Sequence, residues 1–590
     1  MSCKMSKALL ILIVSIFLVL IGGGIWKRTH MAVAPPIFDP ISYYMRAELV
    51  WSALAKGDLH GILNGPMAQR PPGTAFVLYP FGFRASVHSF LFRSVFAPIL
   101  IWAIALSIPI ATRVNCRWDA LLGSALIVGL TAMPLFYHFE VNDMFKKAYY
   151  DVSNQWGLVD SLEGAIAALA ISLLCFGIAN RSIKWCAIGW LVCVFSFFIK
   201  PSGLLIMMAL VGVVTVEFVV RFFGGHSNRR SMLKLAALVY FIGFSIFGVA
   251  LWLAFGSDYM SREVIAQAVK GQQLVLSLYQ GRELFSMLAL FVVPVIGWWW
   301  FCPAVFFTGL VVVEAVHSIA KRQWSAVGVR FAVAGMILVS AVCWWIFLAG
   351  QQHRYLFPFL LMVIAWFIPE IFQRVREFGP CAKGAVIGYC LAPAVFLAGL
   401  LWSNHPPIIF QQLMGVNLTA GSHESEVNQG KWLLAESERV GRPLNLYSLG
   451  NYGVGAVEMV DWVKSIEKKN SPPKFIVRRP LNWVDTPGLR AEELIHSDFL
   501  LLEDVSPKGT DQTPAVSSWS EEVERFKQFA YSERGVDNNG LELVSDGPVK
   551  LLRVVNVPKF SEALYRWANS IHWRNDFRER NKGFLENPPK

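Results

Sequence analysis

The stretch ALLILIVSIFLVLIGGGIW, residues 8–26, determines the fold class of this 590-residue chain. It carries no charged residue, and about 20 apolar residues are enough to cross a bilayer as one helix. Lys4 and Lys7 precede it, as in a signal peptide, but the run exceeds a usual signal core and no small-x-small cleavage site follows. We therefore interpret it as a retained membrane-spanning helix.

Similar apolar runs recur along the first two thirds of the chain. Apolar residues make up 55% of the sequence and charged residues only 16%, whereas soluble domains have about a quarter charged residues. The runs predict a polytopic α-helical membrane protein with eleven spans, at residues 8–26, 91–111, 118–136, 160–179, 184–199, 202–221, 236–255, 286–313, 329–349, 355–373 and 384–402.

Charge in the connecting loops predicts the orientation. If the N-terminus is cytoplasmic, every loop on that side contains Lys or Arg, while most acidic loop residues lie on the other side. This pattern predicts a cytoplasmic N-terminus and an outer C-terminal segment, which we expect to be periplasmic in a bacterial inner membrane. The net charge of +12 comes largely from this bias and does not indicate nucleic-acid binding.

The composition changes after residue 403, since residues 404–590 contain no apolar run long enough to span. Strands are predicted in PLNLYSLGNYG, KFIVRRP and FLLLEDV, a hairpin in LELVSDGPVKLLRVV, and helices in AVEMVDWVKSIEKK and RAEELIHSD. The predicted organisation is a transmembrane domain at 1–403 with a long outer loop at 27–90, followed by an outer α/β domain at 404–590.

The 27–90 loop contains the first acidic residue of the chain, Asp39, which precedes the tyrosine pair Tyr43 and Tyr44. An amphipathic pattern follows and suits a helix in the membrane interface. The segment RPPG at 70–73 then leads back towards the bilayer. Although most loop aspartates are caps or solvated, loops of this length with helices of their own are usually functional.

These features resemble the GT-C superfamily of membrane glycosyltransferases, in the branch of protein O-mannosyltransferases and lipid A aminoarabinose transferases. In that branch an acidic residue follows the first span, and a (K/R)PP segment leads into the second. Asp39 matches the acidic position and Arg70 begins the matching segment. Many relatives have two adjacent acidic residues where this chain has Asp39-Pro40. The resemblance covers roughly residues 1–403.

Two further segments continue the resemblance in the same order. FFIKPSG at 197–203 places Lys200 at a break between spans, and QQHRYLFPFL at 351–360 places His353, Arg354 and Tyr355 in a short outer loop. Cations often lie at the interface simply because their heads reach water. Lys200 and Arg354, however, lie on the outer side, where the positive-inside rule disfavours cations, and each is beside a helix break. This placement favours ligand binding.

The resemblance implies an inverting transfer of a hexose or pentose from a polyprenyl-phosphate donor to an outer-face acceptor. We expect the acceptor to be a glycolipid, a lipopolysaccharide component or another glycan, with a protein as a further alternative. A carboxylate must take the proton of the attacking hydroxyl, and we assign this role to Asp39. Cations stabilise the leaving phosphate, and the candidates are Lys200, Arg354, Arg70 and His353.

A second acidic cluster lies between the third and fourth predicted spans. Its carboxylates could orient the acceptor or bind a divalent cation such as Mg²⁺ or Mn²⁺, although the sequence requires no cofactor. A solvated loop neutralised by neighbouring lysines is the alternative. Asp160 stands apart because it begins a span, where a carboxylate is costly. The four candidates are Glu140, Asp143, Asp151 and Asp160.

Other classes of protein leave different signatures. A secondary transporter is the main alternative, but no convincing internal repeat is present. A glycan polymerase or ligase of the same superfamily would differ in carrying a whole oligosaccharide on its lipid. The sequence contains neither a DxD triplet nor a Gly-rich loop after a cytosolic strand, so it does not indicate a nucleotide-sugar site. The nine cysteines all lie at or before Cys390 and show neither a disulfide framework nor a metal-ligand spacing.

Overall fold

Helices dominate the computed structural model of the chain. It describes residues 3–31, 39–64, 70–78, 87–131, 159–223, 229–262, 326–347, 356–405, 424–449, 475–478, 488–503, 514–531, 539–547, 549–571 and 575–587, together with 265, 266, 309, 316 and 573. Before residue 403 the helices are α1 (Cys3–Met31), α2 (Asp39–Ala55), α3 (His60–Leu63), α4 (Gly73–Leu78), α5 (Val87–Ala111), α6 (Arg117–Thr131), α7 (Asp160–Ala179), α8 (Ile183–Ile199), α9 (Gly203–Phe223), α10 (Arg229–Phe255), α11 (Ala326–Phe347), α12 (Phe357–Arg376) and α13 (Pro380–Trp402).

Seven of the described helices are long and apolar enough to cross a membrane: α1, α5, α7, α9, α10, α12 and α13. Shorter apolar helices cover Ile183–Ile199 and Gly328–Cys343. Ten of the eleven predicted spans coincide with described helices, and the span predicted at 286–313 lies outside the described residues. The predicted polytopic helical class is therefore confirmed, while the orientation in the membrane stays a prediction.

Helix α7 lies at the centre of the bundle. Its residues Ala165, Ile171 and Leu174 have no exposed surface, and it packs against α5, α8 and α12. Gly164 of α7 allows the start of α12 to come close, because a Cβ there would lie 3.0 Å from the Pro358 Cα. Side chains on the first turn of α7 are therefore surrounded by protein.

A buried ionic network connects α9, α11 and α12. Its central carboxylate, on Glu217, lies about 20 Å from the start of α9, at ~1.5 Å per residue. Glu217 of α9, which is 3% exposed, accepts hydrogen bonds from Arg330 Nε at 2.7 Å and Nη2 at 2.9 Å, and from Trp366 Nε1 at 2.9 Å. Arg330 Nη1 also donates to Glu370 Oε1 at 3.0 Å. Arg330 of α11 thus joins α9 to α12.

The C-terminal part contains a five-stranded mixed sheet. The elements are α14 (Glu424–Val440), β1 (Leu444–Ser448), β2 (Phe475–Arg478), α15 (Ala491–Ile495), β3 (Phe499–Glu503), α16 (Pro514–Tyr531), β4 (Leu541–Asp546), β5 (Val549–Val554), α17 (Val557–Ser570), α18 (Asn575–Arg580) and α19 (Lys582–Glu586). The strand order is β2-β1-β3-β5-β4, with β1 parallel to β2 and β3, and β5 antiparallel to β3 and β4.

Both faces of the sheet are covered by helices. One apolar cluster includes Leu433 of α14 with Leu446 and Leu551, and the other joins Leu500 to Phe526 of α16 and Leu564 of α17. The predicted α/β class is confirmed, as are all the predicted strands and the helix in RAEELIHSD. The helix predicted in AVEMVDWVKSIEKK lies outside the described residues.

Candidate active site

The break between α8 and α9 lies against the first turn of α7. Lys200 is extended (φ −157°, ψ 144°), and α9 starts at Gly203. The Lys200 ammonium donates to the carboxylate of Asp160, which is 2% exposed. Two residues later, Ser202 Oγ donates to Glu163 Oε1 at 2.7 Å. We call this end of the spans the site end.

The RPPG segment reaches the same place. A Cβ on Gly73, the first residue of α4, would lie 2.5 Å from the carbonyl oxygen of Phe198. Phe198 is two residues before Lys200, so RPPG packs against the end of α8 that leads directly into KPSG. Only a glycine allows this approach, since any other L residue would force the backbone of α8 to move.

Replacing Gly73 with alanine should therefore destabilise the site end. The added methyl group meets backbone rather than a flexible side chain, so we expect a loss of about 1–3 kcal/mol, typical of overpacking. The melting temperature of the purified protein would fall. Gly388→Ala in α13 is the matched control, because nothing lies within 4 Å of its Cβ position. Equal melting temperatures for both variants would contradict this packing.

Aromatic and basic side chains of the 27–90 loop extend the site end. The Arg70 guanidinium lies 5.1 Å from the centre of the Tyr43 ring. Arg46, which is 1% exposed, donates from Nε to the Arg70 carbonyl oxygen at 3.2 Å and from Nη2 to the Ile62 carbonyl oxygen. Burial lowers the pKa of Arg46 to about 10, although the nearby Asp258 opposes the shift. Arg46 thus fixes the backbone that carries Arg70.

The segment after α10 closes another side of the site end. Tyr259 is fully buried and donates its hydroxyl to the Phe197 carbonyl oxygen at 2.8 Å. Burial raises the pKa of Tyr259 well above its usual value, and Tyr43 and Glu163 add to the shift. The backbone N–H of Asp258 donates to Asn64 Oδ1 at 2.7 Å, which ties this segment to the 27–90 loop.

The start of α12 completes the surroundings. Leu356 and Pro358 are buried, and Pro358 contacts α7 at Gly164, one residue after Glu163. The chain that directly follows Arg354 therefore reaches the first turn of α7, close to Lys200. His353, Arg354 and Tyr355 themselves lie outside the described residues.

Of the predicted site residues, the structure brings Tyr43, Arg70, Asp160 and Lys200 to the site end. Asp39 begins α2, one turn before Tyr43, but the side chains of Asp39 and Tyr44 are not among those described. Glu140, Asp143 and Asp151 lie outside the described residues.

Four side chains at the site end are not among the residues predicted from the sequence: Arg46, Glu163, Ser202 and Tyr259. A signal for Glu163 was present, because it lies three residues after Asp160 inside an apolar span, where carboxylates are costly. Asp160, which we had grouped with the acceptor and metal candidates, pairs with Lys200. Among the described residues, no three His, Cys, Asp or Glu side chains are close enough to hold a metal ion.

An apolar cavity among the described residues lies elsewhere, between α8, α9 and α10. It has a volume of about 280 Å³ and is lined by side chains that include Trp190, Met207, Tyr240 and Phe244. It contains no carboxylate or cation. The groups that could carry out acid–base or phosphate chemistry are at the site end.

Comparisons with known proteins find a similarity of structure but none of sequence. No protein-family model matches the chain, and no curated protein matches its sequence. The fold is similar to the crystal structure of ArnT from Cupriavidus metallidurans bound to undecaprenyl phosphate, with a TM-score of 0.47 and 11% sequence identity over 92% of this chain and 98% of that chain. The similarity is one of fold alone.

Proposed function

We propose that the chain is a membrane glycosyltransferase that moves one sugar from a polyprenyl-phosphate carrier to an acceptor glycan or glycolipid, with inversion at the anomeric carbon. The observation that supports this most is that RPPG packs on the last turn of α8, directly before KPSG and its buried carboxylate partner. Burying ionic groups is costly, so their presence at the end of apolar spans favours a functional role.

The groups of the site end suit the leaving phosphate. When the acceptor hydroxyl attacks, the polyprenyl phosphate leaves and gains negative charge, which fixed cations stabilise best where water is scarce. We propose Lys200, Arg70, Arg354 and His353 for this role. An ammonium has three N–H donors, so pairing with Asp160 is compatible with binding a phosphate oxygen as well.

Asp160 takes a different role in this proposal from the one predicted. Its contact with Lys200 makes it an orienting group that fixes the ammonium, rather than an acceptor or metal ligand. Glu140, Asp143 and Asp151 remain the candidates for orienting the acceptor. Asp39 remains the proposed general base, since α2 carries it to within one helical turn of Tyr43.

Mass spectrometry of glycolipids from cells with and without the gene tests the proposal. We expect one glycan or glycolipid to become lighter by a single sugar when the gene is removed, while the sugar-bearing carrier lipid accumulates. A loss of a whole oligosaccharide would indicate a polymerase or ligase instead. An unchanged glycome together with altered uptake of a solute would favour a transporter.

A further inference from the structure

Glu163 is buried at the site end, and among the described residues only one of its oxygens has a hydrogen-bond partner. It is 1% exposed, and its Oε1 accepts the hydrogen bond from Ser202. Its Oε2 is fully buried and has no hydrogen-bond partner in the part of the chain that the structure describes. Leaving a buried oxygen without a hydrogen-bond donor is energetically costly, so a donor from a ligand would stabilise it.

The neighbours of Glu163 do not supply the missing donor. The Ser202 hydroxyl bonds to Oε1, and the Tyr259 hydroxyl donates to a backbone carbonyl. Gly164, the next residue, packs against Pro358 and Leu361, which have no side-chain donor. Asp160 and Glu163 also place two carboxylates beside the one ammonium of Lys200. A hydroxyl group suits Oε2 because it can donate a hydrogen bond, which an ionised phosphate oxygen cannot.

We propose that Glu163 Oε2 accepts a hydrogen bond from a hydroxyl group of the sugar on the donor lipid, so that Glu163 selects the donor. This inference rests on the proposed transferase function and adds a sugar subsite to it. The carrier phosphate lies on the side of the cations, and the sugar lies over Glu163. Once the sugar has been transferred, the carrier lacks the hydroxyl that Glu163 binds, which favours its release over that of the donor.

Binding of two lipids to the full-length protein in nanodiscs tests this subsite. The probes are undecaprenyl phosphate and undecaprenyl phosphate bearing one hexose or pentose, with the sugar that binds most tightly to the wild type used for the variants. Glu163→Leu should weaken binding of the sugar-bearing lipid roughly 2- to 10-fold, the range for the loss of one hydrogen bond. Binding of the bare lipid should change by less than about twofold, because its phosphate does not contact Glu163.

Two further variants separate sugar binding from a structural effect. Glu163→Gln keeps the volume and an oxygen for Ser202, so it should fold and show a smaller loss than Glu163→Leu, again for the sugar-bearing lipid alone. Ser202→Ala removes only the partner of Oε1 and should leave the preference for the sugar-bearing lipid in place.

The outcomes distinguish this inference from the proposed function. If Glu163→Leu weakens both lipids equally, weakens neither, or is fully reproduced by Ser202→Ala, the sugar subsite is wrong although the transferase proposal stands. The subsite is also wrong if the wild type binds no sugar-bearing lipid more tightly than the bare one. If the wild type binds neither lipid, the proposed function itself fails.

Discussion

Asparagine in place of Asp39 is expected to lower the rate of sugar transfer by roughly 10²–10⁴-fold, the usual contribution of a general base. The amide has nearly the size of the carboxylate but cannot take the proton of the attacking hydroxyl. Expression and melting temperature should stay close to those of the wild type. The rate is measured as sugar moved from the donor lipid to the acceptor by the purified protein.

The structure also offers a purely structural role for Asp39, and the same variant separates the two. Asp39 and Pro40 begin α2, and both residue types are favoured at the start of a helix. Asparagine caps helices about as well as aspartate, so a capping role predicts nearly normal transfer in Asp39→Asn. Asp58→Asn is the control, because Asp58 is an exposed carboxylate of the same loop. Normal transfer in both variants would move the base to Glu140 or Asp143.

Methionine in place of Arg330 is expected to cost roughly 3–5 kcal/mol of stability, as is usual when one partner of a buried ion pair is removed. Glu217 would lose two of its hydrogen bonds and keep its buried charge, and α11 would lose its ionic link to α9 and α12. The melting temperature in detergent measures the effect. The site end would be affected only through this loss of stability.

Arg374→Met is the control for Arg330, because Arg374 pairs with Glu377 on the surface of α12, where both side chains are about half exposed. Surface pairs contribute about 0–1 kcal/mol, so its melting temperature should change little. Adding Glu217→Gln to Arg330→Met should restore part of the loss, because it removes a buried charge whose remaining ion-pair partner, Arg221, lies 3.7 Å away. If Arg330→Met melts like Arg374→Met, the network contributes nothing to stability.

The spans could be predicted because apolar runs of sufficient length leave few alternatives to a membrane helix. The network around Arg330 could not. Charge counting placed Arg113, Arg221 and Arg330 in basic loops on one side. It gave no indication that Glu370 and Glu217, which lie inside predicted spans, face Arg113 and Arg330 from other segments, with Arg221 one turn after Glu217 on α9 itself. Such contacts depend on which helices are neighbours, and periodicity does not specify that.

Only part of the candidate site could be predicted, because its contacts also depend on which helices are neighbours. Cations next to prolines at helix breaks are visible along the chain, and Arg70 and Lys200 are indeed in neighbouring segments. The pairing of Lys200 with Asp160 joins residues 40 positions apart. From the sequence, Lys200 is predicted to bind phosphate and Asp160 to bind the acceptor or a metal ion. Glu163 was overlooked because its second partner, Ser202, is recognisable only once α7 packs against the break.

Transfer by the purified full-length protein tests the central claim most directly. Undecaprenyl phosphate bearing an isotope-labelled sugar and a glycolipid extract from cells lacking the gene are incubated with the protein, and both lipids are followed by mass spectrometry. The account predicts that one labelled sugar moves to the glycolipid, that free undecaprenyl phosphate appears in equal amount, and that Asp39→Asn abolishes most of both signals. An intact donor in the presence of a folded protein, with every sugar and extract tried, would contradict it.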